Sequence, residues 1–385
     1  MTSKELDQHR QDQLQIESEL HAAVSSELSS RRPILYHLNP DSSWLLQIPR
    51  PANATKHSRR VYFNILIDPW LRGAQTDIAG WFSKQWHAID SRYSSISEVE
   101  ALAQETEVLG DRERGKEYQE KPDEDSKSRE RFIDVIVISH EFTDHCHKET
   151  LLEAHPDVPV IATKKAAELI SSWNHFRTIL TTPVFSGSTP DWRETSLEPL
   201  PTWVGISRVV TSKDFLKFHS AILIAFNSSA GAIASSDSDI SDAAEAVIYT
   251  PHGIEASSLS IIPKASPPLS VLAFLHGLDD ISIRAGQQLN LGGHNGLAAQ
   301  RILNAKYWVG THDEQKKAGG LISFLLRRHV ISLGDALEAE RKRRKEASKT
   351  GSLRKQSELV SDKLLEEFED ARFAQLGNGE SRVLR

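Results

Sequence analysis

Ser139 to His147, S-H-E-F-T-D-H-C-H, is the segment of this sequence richest in groups that could do chemistry. His140, Asp144 and His145 supply two imidazoles and a carboxylate, a donor set that suits zinc, manganese or iron because these ions accept mixed nitrogen and oxygen ligands. Cys146 adds a candidate thiolate. Neighbours such as Asp144 and His145 point apart on a regular strand, so their convergence on one ion requires an irregular loop. The residues just before, FIDVIVIS, are apolar almost throughout and predict a buried strand, from whose end a loop can aim several side chains at one point.

The same stretch resembles the metal-binding signature of the metallo-β-lactamase superfamily, in which a strand ends in H-x-H-x-D-H. Here the positions read His140-Glu141-Phe142-Thr143-Asp144-His145, with Phe142 in place of the second His. Upstream, NILIDPWL is similar to the strand ending in Asp-Pro of the branch containing the ascorbate-lactonase-like hydrolases. Downstream, LGGHNGLAAQRILNAKYWVGTHDE is similar to that branch's closing helix and strand, which deliver the last metal-ligand His, here His312. The resemblance runs from Pro33 to Arg328 and implies an α/β fold, the αββα sandwich of the metallo-β-lactamase type.

Departures from the family pattern reshape the implied site. The bridging carboxylate is replaced by His252 in AVIYTPHGI, and an imidazole can ligate one ion but bridges two poorly. No His lies between Phe185 and Val210, where the third ligand of the family's first metal belongs. With Phe142 apolar as well, one metal position loses two ligands. The resemblance therefore implies a reduced centre of Asp144, His145 and His312, with His252 as a fourth ligand and His140 nearby. One zinc ion rather than two is expected there, with manganese or iron as alternatives. Three protein ligands plus water is the usual makeup of a catalytic zinc site. Such an ion lowers the pKa of its water toward about 7. Asp144 would orient or deprotonate that water for attack on a small-molecule ester, lactone or phosphodiester. The rival expectation is a catalytically degenerate protein of the same fold serving as a binding or scaffold module. A metal-independent lyase or isomerase is the third.

Other residues take supporting parts. Asp68, before Pro69, is expected to brace the metal loop or to form a turn, while Cys146 and His147 are expected to pack beside the ligands. His276, Asp279, Asp280 and His294 follow strand or helix boundaries and either line the same mouth or serve the fold. Trp70, Trp81, Phe82 and Trp86 suggest core packing on a helix more than a substrate wall. The basic run Arg341 to Lys345 is interleaved with Glu338, Glu340 and Glu346, which favours a solvated helix face over a nucleic-acid patch. No glycine-rich phosphate loop is found.

The elements that must position these groups alternate strand and helix, the mark of α/β layering. Short apolar runs begin at Pro33 and continue through SSWLLQIP, RVYFNILIDPWL, VPVIAT, WVGISRVV, FHSAILIAF, AVIYTP, SVLAFLHG and AKYWVGT, with amphipathic stretches such as KKAAELISSW between them. Residues 1–31 are expected to form an N-terminal helix or tail, 32–332 the metallo-β-lactamase-like domain with a charged, solvated insertion at 104–131, and 333–385 a C-terminal helical tail. That tail offers a face for self-association or for a protein partner. Across 385 residues, 46 Lys+Arg against 53 Asp+Glu give a net charge of −7, which disfavours a general nucleic-acid binder. A lone cysteine, no secretory leader and no long apolar span predict a soluble, cytoplasmic protein without a membrane span, with the nucleus as an alternative compartment.

Overall fold

Between Val61 and Ile67 every residue but Asn64 is apolar, and the strand's period of two splits these side chains between two cores. Phe63, Ile65 and Ile67 face one core while Leu66 faces another. Ser220–Phe226 divides in the same way: Ile222, Ile224 and Phe226 join the first core, and Ala221, Leu223 and Ala225 join a third. A strand that is apolar on both sides must be covered on both sides, which requires two sheets face to face with helices outside.

A computed structural model of the chain describes residues 31–56, 60–76, 83–113, 131–211, 218–228, 243–283, 287–319, 326–349 and 371–385. The expected N-terminal helix falls outside them apart from Arg31, as do Trp81, Phe82, residues 114–130 of the expected insertion and residues 350–370 of the expected C-terminal tail. The first half of the chain contributes β1 (Ile34–His37), β2 (Trp44–Pro49), β3 (Tyr62–Ile67), α1 (Ile96–Glu113), β4 (Val135–Ile138), α2 (Lys148–Leu151), β5 (Val160–Ala162), α3 (Lys164–Ser171) and β6 (Ile179–Thr181). The second half contributes β7 (Val204–Val210), β8 (Ser220–Phe226), β9 (Ala244–Thr250), β10 (Leu269–His276), α4 (Gly293–Leu303), β11 (Tyr307–Val309), α5 (Leu333–Lys349), β12 (Phe373–Ala374) and β13 (Ser381–Val383).

Of the two large sheets, one runs β13-β1-β2-β3-β4-β5-β6 and the other β12-β11-β10-β9-β8-β7, and two three-stranded sheets accompany them. Trp44, Ile65 and Val137 from the first meet Ile222, Val247 and Leu275 from the second in the central core. Trp44 is fully buried there, and its Nε1 donates to Thr311 Oγ1 at 3.0 Å, so truncation to Ala should cost about 3–5 kcal/mol. On the outer face of the first sheet lie Ile96, Val99 and Ala103 of α1 with Ala166, Ala167 and Ile170 of α3. Leu297 and Leu303 of α4 with Ala336 of α5 cover the second. This is the expected αββα sandwich. Among the described residues no helix is long and apolar enough to cross a membrane.

Three expectations need correction. Residues 104–113 are not the start of a solvated insertion but the last turns of α1. Thr106 and Glu107 are buried there, and Glu107 accepts from the backbone N–H groups of Val61 and Tyr62, so its charge is spent on the edge of β3. Nor is 333–385 wholly a helical tail: after α5, β12 pairs with β11 and β13 with β1, so the C-terminus adds a strand to each sheet. Such additions satisfy backbone groups that would otherwise stand open on the edges of β1 and β11. Finally, Trp86 lies on the strand Lys84–Trp86, 39% exposed, rather than in a helix core.

Candidate metal centre

All the residues of interest lie where strands end. In the first sheet β3, β4 and β5 are parallel, so Asp68 after β3 and Ser139 to His147 after β4 emerge on one edge. In the second, β9, β10 and β11 are parallel, placing His276 at the carboxyl end of β10 and His252 and His312 beyond those of β9 and β11. The turn between β1 and β2 adds Asp41. Asp68 and His312 both hold left-handed backbone, φ 43° and 60°, at a cost of roughly 1–2 kcal/mol each for residues with a Cβ. Backbone bonds fix them: Asp68 N donates to Val137 O at 3.0 Å and His312 N to Asp41 O at 2.8 Å.

Three imidazoles converge, and each is oriented from behind. His145 Nδ1 lies 2.8 Å from Asp68 Oδ2, His252 Nδ1 2.9 Å from Asn290 Oδ1, and His312 Nδ1 2.9 Å from Asp41 Oδ2. An acceptor on every Nδ1 places the ring proton there and leaves the Nε2 lone pair for something else. Nε2 of His145 and Nε2 of His252 are 3.1 Å apart, and one nitrogen from each of the three rings lies within 4.8 Å of the others. Burial lowers the pKa of His145, but Asp144 and Asp68 outweigh it and raise it, so the pair shares either a proton on His145 or a metal cation. Tetrahedral zinc with bonds of about 2.0–2.1 Å separates its ligand nitrogens by roughly 3.3–3.4 Å, so the residues present fit such an ion. Burial, with His140, His145 and His312 adding to it, holds His252 well below the ordinary imidazole range, which keeps it neutral and ready to ligate. Asp68 Oδ2 also accepts from Tyr249 Oη at 2.8 Å and from Ser139 Oγ, so the carboxylate behind His145 is itself fixed.

The other half of the centre is acidic. Asp41, Asp144 and His312 form a second group of potential ligands within 4.8 Å. Here, however, the ammonium of Lys316 lies 2.8 Å from Asp41 Oδ2 and 3.0 Å from Asp144 Oδ2. Burial opposes charge on Asp144, but Lys316 and then His145 and His312 reverse this and hold its carboxyl far below the usual range. Asp144 Oδ1 stands 3.7 Å from His145 Nε2 and Oδ2 3.8 Å from His312 Nε2. Neither Asp41 nor Lys316 stood out in the sequence. The signals were slight: an Asp in an Asn-Pro-Asp-Ser-Ser turn, and a Lys four residues past His312.

His140 stands one ring further out. It is buried, its Nε2 has no hydrogen-bond partner among the described residues, and its ring centroid is 4.7 Å from that of His252. It stacks on Phe142, which stacks in turn on Phe218 at 5.3 Å, so an aromatic flank closes that side. Cys146 packs in the core beneath α1–α3, where burial pushes its thiol up, away from thiolate chemistry. His147 caps α2 by accepting from Thr150 N. Asp279 pairs with Arg328, and Asp280 accepts from Gly292 N at 2.7 Å, so both serve loops. His294 lies on α4.

No family model and no curated protein matches this sequence. Several solved structures do resemble the fold. A possible metal-dependent hydrolase from Veillonella parvula aligns over 92% of this chain and 100% of its own, with TM-score 0.49 and 10% identity. Isothiocyanate hydrolase from Delia radicum gut bacteria aligns over 91% and 99%, with TM-score 0.44 and 11% identity. The metallo-β-lactamase fold protein YhfI from Bacillus subtilis aligns over 91% and 99%, with TM-score 0.36 and 9% identity.

Proposed function

We propose that the chain is a metal-dependent hydrolase of small molecules, with zinc as the first choice of ion and manganese or iron as alternatives. The observation that carries the reading is the 3.1 Å approach of the His145 and His252 Nε2 atoms, each with its Nδ1 already committed to an acceptor. With the pKa of His145 raised by Asp144 and Asp68 against the effect of burial, either a proton on His145 or a metal ion can sit between the two Nε2 atoms, and the third imidazole, His312, favours the metal. When bound, the ion supplies Lewis acidity and a more acidic water.

The chain's own groups divide the remaining work. His145, His252 and His312 hold the ion. Asp144 keeps Oδ2 on Lys316 and is left with Oδ1, 3.7 Å from His145 Nε2, as an acceptor that orients a water proton. Its strongly lowered pKa makes it a better orienting group than a base. Phe142 and Phe218 provide an apolar flank against which a substrate's non-reacting part can rest. Within this reading the scissile bond is an ester, lactone or phosphodiester.

The test is metal content by mass spectrometry on untagged protein, with His145→Ala, His252→Ala and His312→Ala. Stoichiometric metal in the wild type, lost in each variant, supports the centre, and lactone and phosphodiester panels then probe turnover. Wild-type content below about a tenth of an equivalent after metal addition would favour the binding or scaffold module instead.

A further inference from the structure

Two overlapping ligand groups, His145/His252/His312 and Asp41/Asp144/His312, share one imidazole, so beside an ion on the three histidines a second ion would have the two carboxylates as its protein ligands. The two halves differ in what they already contain. Between the carboxylates lies Lys316 Nζ, 2.8 Å from Asp41 Oδ2 and 3.0 Å from Asp144 Oδ2, on a side chain only 10% exposed. Both are charge-assisted contact distances, and both carboxylates direct the same class of oxygen at the same nitrogen. The third side of the ammonium faces the Trp70 ring at 5.2 Å. Trp70 is itself stacked on His87 at 3.8 Å, and His87 Nδ1 lies 2.6 Å from Glu314 Oε2, so the aromatic floor under Lys316 is fixed.

We infer that the Lys316 ammonium occupies the second cation position of this centre, between Asp41 and Asp144, and that the protein therefore takes a single metal ion, on the three-histidine side. The inference rests on the metal-centre reading above and adds its stoichiometry and the reason for it. A divalent ion bound by Asp41 and Asp144 would sit against the positive charge that Lys316 already places between their Oδ2 atoms. With the lysine in place, the two carboxylates leave one negative charge facing the histidine-bound ion, which suits a lone divalent cation. Every side of the ammonium is engaged, by Asp41, Asp144 and Trp70, so Lys316 acts as a fixed charge rather than as a group that contacts substrate.

Untagged full-length protein is saturated with zinc, dialysed and analysed for metal and protein. The wild type is expected to hold one equivalent. Lys316→Ala, which frees both carboxylates, is expected to hold two and to gain thermal stability on zinc addition, while Lys316→Arg stays at one. Two equivalents in the wild type would overturn the inference. One equivalent in both the wild type and a folded Lys316→Ala protein would overturn it while leaving the metal centre standing. No metal in either would overturn both. No metal in the wild type but one equivalent in Lys316→Ala would overturn the single-ion inference and the hydrolase together. Should Lys316→Ala not fold, anomalous scattering from zinc-loaded wild-type crystals decides: a single peak at the histidines with the ammonium still between the carboxylates supports it, and a second peak there overturns it.

Discussion

His252 and His276 are both buried imidazoles at the carboxyl ends of neighbouring parallel strands, β9 and β10, yet their second nitrogens face opposite situations. His276 is closed: Nδ1 donates to Gly277 O at 2.6 Å and Nε2 accepts from Asn295 Nδ2 at 3.2 Å. His252 is open: Nδ1 is anchored on Asn290, but Nε2 looks at another Nε2. Burial alone therefore does not mark a ligand. What sets His252 apart is a second nitrogen whose partner is another imidazole rather than a side-chain amide. Lys316 extends the contrast, since the carboxylate half of the centre brings its own cation and the histidine half does not.

The largest effect that can break this contrast is on metal binding. Replacing His252 by Ala should remove the ion, a loss beyond about 100-fold in affinity, whereas His276→Ala should leave metal content unchanged and lower stability instead. Equilibrium dialysis and urea unfolding on the two variants read the two outcomes. Next is Lys316→Ala in the presence of a chelator: two buried carboxylates lose their partner, at a cost of about 3–5 kcal/mol in urea unfolding, and added zinc should restore most of it.

Acid sharpens the comparison from the His276 side. Burial lowers its pKa to about 4. Its contribution is therefore complete above the unfolded value near 6.5 and is lost as pH falls toward 4, worth about 3 kcal/mol. Urea midpoints followed over that range should fall, and His276→Gln should flatten the slope. The smallest expected effect is behind the open histidines: Asp68→Asn removes the charge on His145 Nδ1 and should weaken metal binding by about 10- to 100-fold without removing it.

Much of this was legible in the sequence, for local reasons. The strand FIDVIVIS and the loop after it announce themselves by an apolar run followed by packed donors, and His252 and His312 follow recognisable strand ends. Asp41 and Lys316 did not, because a turn aspartate and a loop lysine are ordinary in any surface segment, and only the return of β11 beside the β1–β2 turn brings them together. The C-terminal strands were missed because Phe373–Ala374 and Ser381–Val383 are too short to show a period of two. Helix α1 hid its inner face in a charge-rich run, since Glu107 is buried by pairing with backbone rather than by being apolar.

The claim on which the rest depends is that three imidazoles share one ion. X-ray absorption at the zinc edge of the loaded wild-type protein addresses it directly. Imidazole nitrogens at about 2.0–2.1 Å, three per ion, are expected, with the signal gone in His252→Ala. A shell of oxygen ligands without imidazole, or no retained zinc, would contradict it.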